Sequence, residues 1–181
     1  MKMTFDILSG SKHFKNLRNV KMDFSTQLNR GGNIVMKDIS EGIGFGRDIN
    51  GKPFKKLSPN TVASKRAKGS PTPRTALSDE GVMKNTYIKK RASRHSQECI
   101  VTAPKSRAKI GQYHQQGTAP YTIVPKKAKL LSFVTQEGRV FAKKVNHPGL
   151  PKREWFGISQ KAQDKIVKAM MEEIDAIIRR I

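Results

Sequence analysis

The spacing of apolar residues predicts a long helix at the C-terminus. Eight of them recur three or four positions apart, which places one stripe along about six helical turns. The stripe comprises Ile158, Ala162, Ile166, Met170, Ile174, Ile177, Ile178 and Ile181. Ser159, next to the first of these residues, is suited to accept a backbone hydrogen bond as the N-cap. We expect the stripe to pack on a sheet or on a neighbouring subunit, and the spacing alone leaves both open.

Helical spacing also marks the N-terminal third. A first, loosely periodic run is predicted to stop at Gly31-Gly32. It comprises Phe14, Leu17, Met22, Phe24 and Leu28. A second short run, from Ile34 to Ile43, is predicted to end among three glycines, because helix interiors disfavour glycine. These are Gly42, Gly44 and Gly46.

Residues 46–81 are predicted to form a long irregular loop. Four prolines punctuate it, namely Pro53, Pro59, Pro71 and Pro73. Within it, Ser64 to Ser70 reads SKRAKGS, which is basic and offers nothing to bury. Loops of this length are unusual in compact domains. We therefore expect the segment to be disordered or to be ordered by a partner.

From Val82 onward the apolar period becomes two, which predicts strands. Met83–Lys90 and Gln97–Ala103 are predicted to pair, and Ile110–Tyr113 is a candidate extension of their sheet. Leu130–Thr135 and Arg139–Val145 flank Gln136-Glu137-Gly138 and predict a hairpin. The order of helices, strands and helix predicts one α+β domain over 1–181. In it, N-terminal helices (1–45) and a C-terminal helix (158–181) pack a mostly antiparallel sheet (82–157).

Composition narrows the class of protein. The chain has 181 residues and a single cysteine, Cys99, which excludes an intrachain disulfide framework and a cysteine-based zinc site. No apolar run approaches the roughly 18 residues that a membrane helix needs. Met1 to Gly10 lacks the pattern of a signal peptide. We expect a soluble protein that is made in a cytoplasm and has no membrane partner.

Positive charge is the most pronounced feature of the composition. The net charge is +22, and residues 51–157 hold 23 basic and 5 acidic side chains. Such an excess attracts phosphate or an acidic protein surface, although a merely solvated basic surface is the alternative. Nine side chains are expected to contact DNA or an acidic partner: Lys65, Arg66, Lys68, Arg74, Lys126, Lys127, Lys129, Lys143 and Lys144. No helix-turn-helix, zinc finger or basic-aromatic stacking surface appears, so sequence-specific recognition is not expected.

Residues that could support catalysis form no convincing constellation. His13, His95, His114 and His147 lack metal-site spacing and acidic companions. His114 and His147 lie beside turn residues, and a hydrogen bond that holds a loop is the favoured role for each. Cys99 is expected to be a small buried apolar residue. The glycines of EGIGFGRD lack the strand-turn-helix context of a dinucleotide site. We predict no enzyme, no metal and no cofactor.

Four blocks resemble the phage virion morphogenesis proteins, also called the tail-completion family. RDINGKPFKKLSP (47–59) resembles G-x-D-x-x-G-x-P-W-x-x-L-S-P, with Phe54 in place of tryptophan. TALSDEGVMKNTY (75–87) resembles L-x-D-T-G-x-L-x-x-S, and IGQYHQQGT (110–118) resembles Y-A-x-x-H-Q-x-G without the alanine. HPGLPKREWFGIS (147–159) is similar to P-A-R-P-F-L-G-L-S, with Glu154-Trp155 replacing Arg-Pro. Its HPG is also similar to the related neck-protein family.

This resemblance implies a non-enzymatic structural protein of the virion neck or tail end. It would form a ring of itself that completes the tail and joins it to the head, with tail-tube and head-connector proteins as partners. A six-fold ring suits a tail-end position and a twelve-fold ring the portal side. Assembly would take place in the host cytoplasm, and positive charge could face packaged DNA without reading its sequence.

Under the resemblance, the site residues are architectural. Aromatic and apolar side chains would anchor loops to the sheet: Phe54, Leu57, Tyr113, Trp155 and Phe156. Gly117, Pro148 and Gly149 would set turns beside His147. His114 and Gln115 would be hydrogen-bonding posts. Two alternatives remain: a stand-alone basic protein that binds nucleic acid without sequence specificity and, as the least favoured, a nuclease that uses His114 or His147.

Overall fold

A computed structural model describes residues 23–180 of the chain. In this range it has four α-helices: α1 (Ser25–Phe45), α2 (Pro59–Ala67), α3 (Ala108–Gln116) and α4 (Gln160–Arg179). Its strands are β1 (Tyr87–Lys90), β2 (Ile100–Thr102), β3 (Tyr121–Ile123), β4 (Leu131–Thr135), β5 (Gly138–Ala142) and β6 (Val145–His147). The α+β class is confirmed. Five residues of the sequence interpretation lie outside the described range: His13, Phe14, Leu17, Met22 and Ile181.

The strands form three antiparallel pairs rather than the single sheet expected. Across residues 23–180, β1 pairs with β2, β3 with β6, and β4 with β5. The β1–β2 pair agrees only partly with the predicted bounds, because Val82–Lys84 is a 3-10 turn. The β3–β6 pair was not predicted, and Val145, which was assigned to the hairpin, belongs to β6. The predicted β4–β5 hairpin is confirmed, but its turn is only Gln136-Glu137, because Gly138 pairs with Thr135 as the first residue of β5.

Helix α1 runs through Gly31-Gly32, so the predicted stop at these glycines is wrong. Both glycines are buried. A Cβ on Gly31 would lie 3.1 Å from Ile166 Cγ1, and one on Gly32 would lie 2.6 Å from Cys99 Sγ. The missing side chains let α4 and the β1–β2 pair approach α1 closely. This packing outweighs the roughly 1 kcal/mol that each glycine costs in a helix.

The end of α1 falls within the glycine cluster, as predicted. Gly42 and Gly44 are helical, and the helix ends at Phe45. Gly46 then adopts a left-handed conformation with φ of 68°, and its N–H donates to Ile43 O at 3.2 Å. This is the arrangement that glycine favours just beyond a helix.

The core lies chiefly along α1. Val35, Ile39 and Ile43 recur every four residues and are buried with Met83, Trp155 and Ala162. Helix α4 lies antiparallel to α1, since Gln27 Nε2 near the start of α1 donates to Glu173 Oε2 near the end of α4 at 2.7 Å, and Gly31 meets Ile166. Ser159 Oγ accepts from Ala162 N at 3.1 Å, as the N-cap prediction required. Ala162 and Ile166 of the α4 stripe thus pack on the core along α1 and not on a sheet, whereas Ile158 and Ile178 are 58% and 54% exposed.

Two further segments differ from the sequence interpretation. Residues 46–81 contain helix α2, which is capped by Ser58 and begins at Pro59, a favoured first position. Ile110–Tyr113 belongs to α3 instead of extending a sheet. In both places the decisive contacts are tertiary: α2 packs on β4, and α3 packs under Trp155. Among residues 23–180, no helix is both long and apolar enough to span a membrane.

Candidate functional site

Trp155 joins the last motif block to helix α3. Its side chain is buried and its indole Nε1–H donates to Gly111 O at 2.9 Å. A Cβ on Gly111 would lie 2.7 Å from Trp155 Cζ2, so glycine is what allows the indole to lie against the helix. Phe156 meets the indole edge to face, with ring centroids 5.3 Å apart. Trp155 and Phe156 therefore anchor their segment to helices, not to the sheet as expected.

Gln115 completes this junction as a hydrogen-bonding post. Its Oε1 accepts from the backbone N–H groups of Trp155 and Phe156, both at 3.1 Å, and its Nε2 donates to Phe156 O at 3.0 Å. One side-chain amide thus satisfies three backbone groups of an irregular segment. Such groups would be costly to leave without partners in the interior.

Arg153 is a buried cation with neutral partners. In its guanidinium, Nη1 lies 3.3 Å from His114 Nδ1 and Nη2 donates to Lys55 O at 3.2 Å. The backbone N–H of Arg153 donates to His114 O at 2.7 Å. Because a guanidinium only donates, Nδ1 of His114 accepts and the neutral ring carries its proton on Nε2. His114 therefore acts as a hydrogen-bond acceptor for Arg153. The sequence interpretation did not single out Arg153, although this residue lies in the fourth block (147–159).

Acid is expected to destabilise the fold through His114. Burial, and then the charge of Arg153, lower the pKa of His114 from 6.5 to about 4. The unfolded chain binds this proton near pH 6.5 and the folded chain near pH 4, so the free energy of unfolding should fall as the pH drops between these values. Urea unfolding at pH 7 and pH 5 measures the fall, and His114→Gln should reduce it.

The exposed His95 provides the control for this test. His95→Gln should leave the pH dependence as it is in the wild-type chain. If the free energy of unfolding falls by the same amount between pH 7 and pH 5 in His114→Gln and in the wild type, His114 is not the group responsible.

Lys65 organises the loop that follows α2. Its side chain is buried, and its ammonium donates to Thr72 O and Thr75 O at 2.8 Å each and to Ser78 O at 2.7 Å. Burial lowers the pKa of Lys65, with Asp79 opposing the shift. The expectation that SKRAKGS has nothing to bury is wrong. Lys65 cannot reach DNA from this position, so it leaves the set of expected contacts.

The turn residues at the start of the last motif block and at the end of α3 form a second junction. Gly117 and Gly149 have φ of 76° and 84°, a region that glycine tolerates. Both agree with the expected turn-setting role, with Pro148 between His147 and Gly149. Gly149 N donates to His147 Nδ1 at 3.0 Å, and the His147 ring stacks on Tyr121 at 4.8 Å. His147 therefore holds a turn and pairs β6 with β3.

The remaining expected anchors divide into two groups. Phe54 and Leu57 are half-buried, and Phe54 packs against the core. Tyr113 is 42% exposed, with its ring 6.0 Å from Lys109 Nζ, so its predicted anchoring role is wrong. On α3 the positions that face the core are those of Gly111, His114 and Gln115, and helical spacing turns Tyr113 to the other side.

Five of the expected DNA-contact lysines are brought together by strand register. Ile123 pairs with Val145, and Leu131 pairs with Ala142. The connections 124–130 and 143–144 therefore run side by side. They carry the exposed side chains of Lys126, Lys127, Lys129, Lys143 and Lys144. Arg66, Lys68 and Arg74 are also exposed, on and after α2. Between residues 23 and 180 no group of three or more His, Cys, Asp or Glu residues could hold a metal ion.

The motif residues thus form packing junctions, as in a structural α+β protein. The model of the Phage virion morphogenesis family matches residues 11–175, which is most of the chain. The chain belongs to this family, and it is a bacteriophage protein with a role in virion assembly. Comparison with curated proteins and with solved structures gave no match.

Proposed function

We propose that the chain is a non-enzymatic subunit of a ring at the neck or tail end of a tailed-phage virion. The ring would complete the tail and join it to the head, with tail-tube and head-connector proteins as neighbours. The observation that supports this proposal is the shortage of buried apolar side chains. In residues 23–180, eight hydrophobic residues are buried, whereas thirteen large ones are exposed. Such surfaces are typical of chains that associate.

The exposed apolar residues lie on several elements. Phe45 is 75% exposed at the end of α1, Phe141 is 61% exposed on β5, and Ile178 is 54% exposed on α4. A subunit of a closed ring needs apolar surface on two sides, one for each neighbour. Exposed apolar side chains at the end of α1, near the end of α4 and on the β4–β5 hairpin meet this need better than a single patch would.

A structural role is also supported by what the histidines do. His114 receives a hydrogen bond from a buried arginine, and His147 accepts one from its own turn. Both side chains that could have acted as general bases are used to hold backbone segments together. The proposal therefore places no reaction at either residue.

The lysines between β3 and β4 and between β5 and β6 would contact packaged DNA. Phosphate contacts require no base reading and give a binding constant that depends steeply on salt. Replacing Lys143 and Lys144 by glutamine should reduce the salt slope of duplex binding by about 2, one per lost phosphate contact. Fluorescence anisotropy over a salt series measures this slope, with Lys161→Gln/Lys165→Gln on α4 as the control. An unchanged slope would contradict the contact.

Light scattering after size-exclusion chromatography tests the ring. We expect a discrete oligomer at low and at high salt, before any DNA is added, because apolar contacts are little screened by salt. Electron microscopy of that fraction should show rings. The second candidate, a stand-alone basic protein, is favoured by the clustered lysines alone. It predicts a monomer at both salt concentrations that binds duplex DNA at low salt and releases it at high salt.

A further inference from the structure

Helix α4 presents a second row of apolar side chains, on a face that α1 does not cover. Its contacts with the core along α1 are made from another side, by Ala162 and Ile166. This outer row comprises Val167, Met171, Ile174 and Ile178. Val167 is 50% exposed, and Met171 and Ile178 are each 54% exposed. The apolar arc of α4 is therefore wider than one neighbouring helix covers.

The outer row has the spacing of a seam between two paired helices. Its four members follow one another at intervals of four, three and four residues. Such a repeat of 3.5 residues keeps apolar side chains on the line along which two helices wind around each other. From Val167 to Ile178 this line is about 17 Å long at 1.5 Å per residue. A second helix of similar length therefore fits it.

Balanced charge makes α4 the part of the chain where two copies can meet. The chain has a net charge of +22, so the basic faces of two copies repel each other. Between Gln160 and Arg179, in contrast, α4 holds four basic and four acidic side chains. A strongly acidic or basic partner would gain no attraction from such a surface. The outer row therefore favours a second copy of the same helix as its occupant.

Two charged residues on one flank of the outer row set the direction of the pair. Lys168 and Asp175 each follow a member of the row by one position, so they share a flank, and both are exposed. The salt bridges found among residues 23–180 include neither of them. Antiparallel helices related by a two-fold axis bring equal flanks together, which places Lys168 of one copy within a turn of Asp175 of the other. Parallel helices would instead set these charges against the apolar flank formed by Met170 and Ile177.

We propose that two copies of the chain pair through the outer rows of their α4 helices, antiparallel and about a two-fold axis. The two rows run in opposite directions, so Val167 of each copy lies opposite Ile178 of the other. Two ion pairs between Lys168 and Asp175 flank the seam. A head-to-tail ring does not require this contact. The inference thus goes beyond the proposed ring, because the contact joins either two free subunits or two rings face to face.

A lysine in the outer row tests the pair by its mass. Met171→Lys places a charge in the seam twice per pair, so we expect this variant to have half the wild-type mass in light scattering after size-exclusion chromatography. Ile158→Lys is the matched control and should keep the wild-type mass, because Ile158 is 58% exposed and lies outside the row. Both side chains are exposed, so circular dichroism and melting temperature should confirm that the variants fold. An equal mass for Met171→Lys and the wild type overturns the proposal.

Cysteines at opposite ends of the row test its direction. A mixture of Val167→Cys and Ile178→Cys chains should form disulfides between unlike copies under mild oxidation, because these positions face each other in the antiparallel pair. Neither variant alone should cross-link, since its two cysteines would be about 17 Å apart along the seam. The wild-type chain, oxidised in the same way, controls for Cys99. A disulfide within either variant alone would indicate a parallel pair and contradict this arrangement.

Charge exchange tests the flank contact. Lys168→Glu should raise the dissociation constant of the pair by about tenfold, because two exposed attractions become two repulsions. Lys168→Glu/Asp175→Lys should restore it, and sedimentation equilibrium measures both. Lys165→Glu makes the same charge change on the side of α4 away from the seam and should have little effect. Equal dissociation constants for Lys168→Glu and Lys165→Glu would refute the ion pairs.

The mass of the Met171→Lys variant also separates this pair from the proposed ring. A ring of half the wild-type mass supports both, whereas a monomer obtained from a wild-type dimer supports the pair and contradicts the ring. A ring of unchanged mass supports the ring and shows the pair to be wrong, and another virion protein then becomes the occupant to seek. A wild-type chain that remains monomeric contradicts the ring and the pair together.

Discussion

Trp155→Ala should lower the free energy of unfolding by about 3–5 kcal/mol. The indole is 3% exposed and belongs to the core cluster with Val35, Ile39 and Ile43. Its removal leaves a cavity between α1 and α3, and it leaves Gly111 O without the indole donor. A small domain is stable by about 5–15 kcal/mol in total. The variant should therefore unfold at a much lower urea concentration.

Trp155→Phe separates packing from hydrogen bonding at the same position. Phenylalanine keeps most of the apolar contact and loses the donor to Gly111, so we expect a loss of about 1–3 kcal/mol, the cost of a buried acceptor left without its partner. Urea unfolding followed by circular dichroism measures both variants. Equal losses for alanine and phenylalanine would contradict the view that packing dominates here.

Gly149→Ala should be the most damaging glycine substitution among the turns. Its φ of 84° strains any residue with a side chain by about 1–3 kcal/mol. In addition, a Cβ at this position would overlap Thr118 O and would lie 2.9 Å from Ala119 C, both backbone atoms that can move only with their chain. The fall in the free energy of unfolding should therefore exceed the cost of backbone strain alone. The overlap should also disturb the hydrogen bonds between Thr118 and Leu150.

Gly51→Ala provides a matched control for that substitution. Gly51 has φ of 80°, nearly that of Gly149, and a Cβ there would meet nothing within 4 Å. Gly51→Ala should therefore lower the free energy of unfolding only by the cost of backbone strain. The difference between the two variants in thermal or urea unfolding measures the steric overlap. Equal losses would show that the turn adapts and that the contact with Thr118 is unimportant.

The elements that the sequence predicted well are those whose signals are local. The C-terminal helix follows from an apolar period of three to four, and Ser159 caps it with its own side chain. The β4–β5 hairpin follows from alternation on either side of the short turn Gln136-Glu137, which Gly138 follows. In each case neighbouring residues decide the conformation, so one sequence window contains the needed information.

The errors arose where distant residues decide. Gly31 and Gly32 continue a helix because Ile166 and Cys99 occupy the space that side chains would take. Gly111 belongs to a helix because Trp155 packs on it, 44 residues later in the chain. Local propensity favours an interruption at a glycine, and only the tertiary contact reverses that preference.

The candidate site was predicted in part for the same reason. His114 and Gln115 were expected to form hydrogen bonds, and their pattern beside a glycine turn supported this. Tyr113 was misplaced because its direction depends on whether the segment is helix or strand. The role of Lys65 could not be predicted from the sequence. A lysine in a basic stretch has the same neighbours in sequence whether its ammonium faces solvent or backbone carbonyls.

The Lys65 ammonium does for residues 72–78 what a bound calcium ion does for many surface loops: it draws backbone oxygens inward around a positive centre. Here the cation is covalently attached, so it cannot diffuse away on dilution or be withdrawn by a chelator. The shape of this loop should therefore be the same inside an infected cell and in ion-poor water outside it. No change in the ions around the protein should remove the centre that holds this loop.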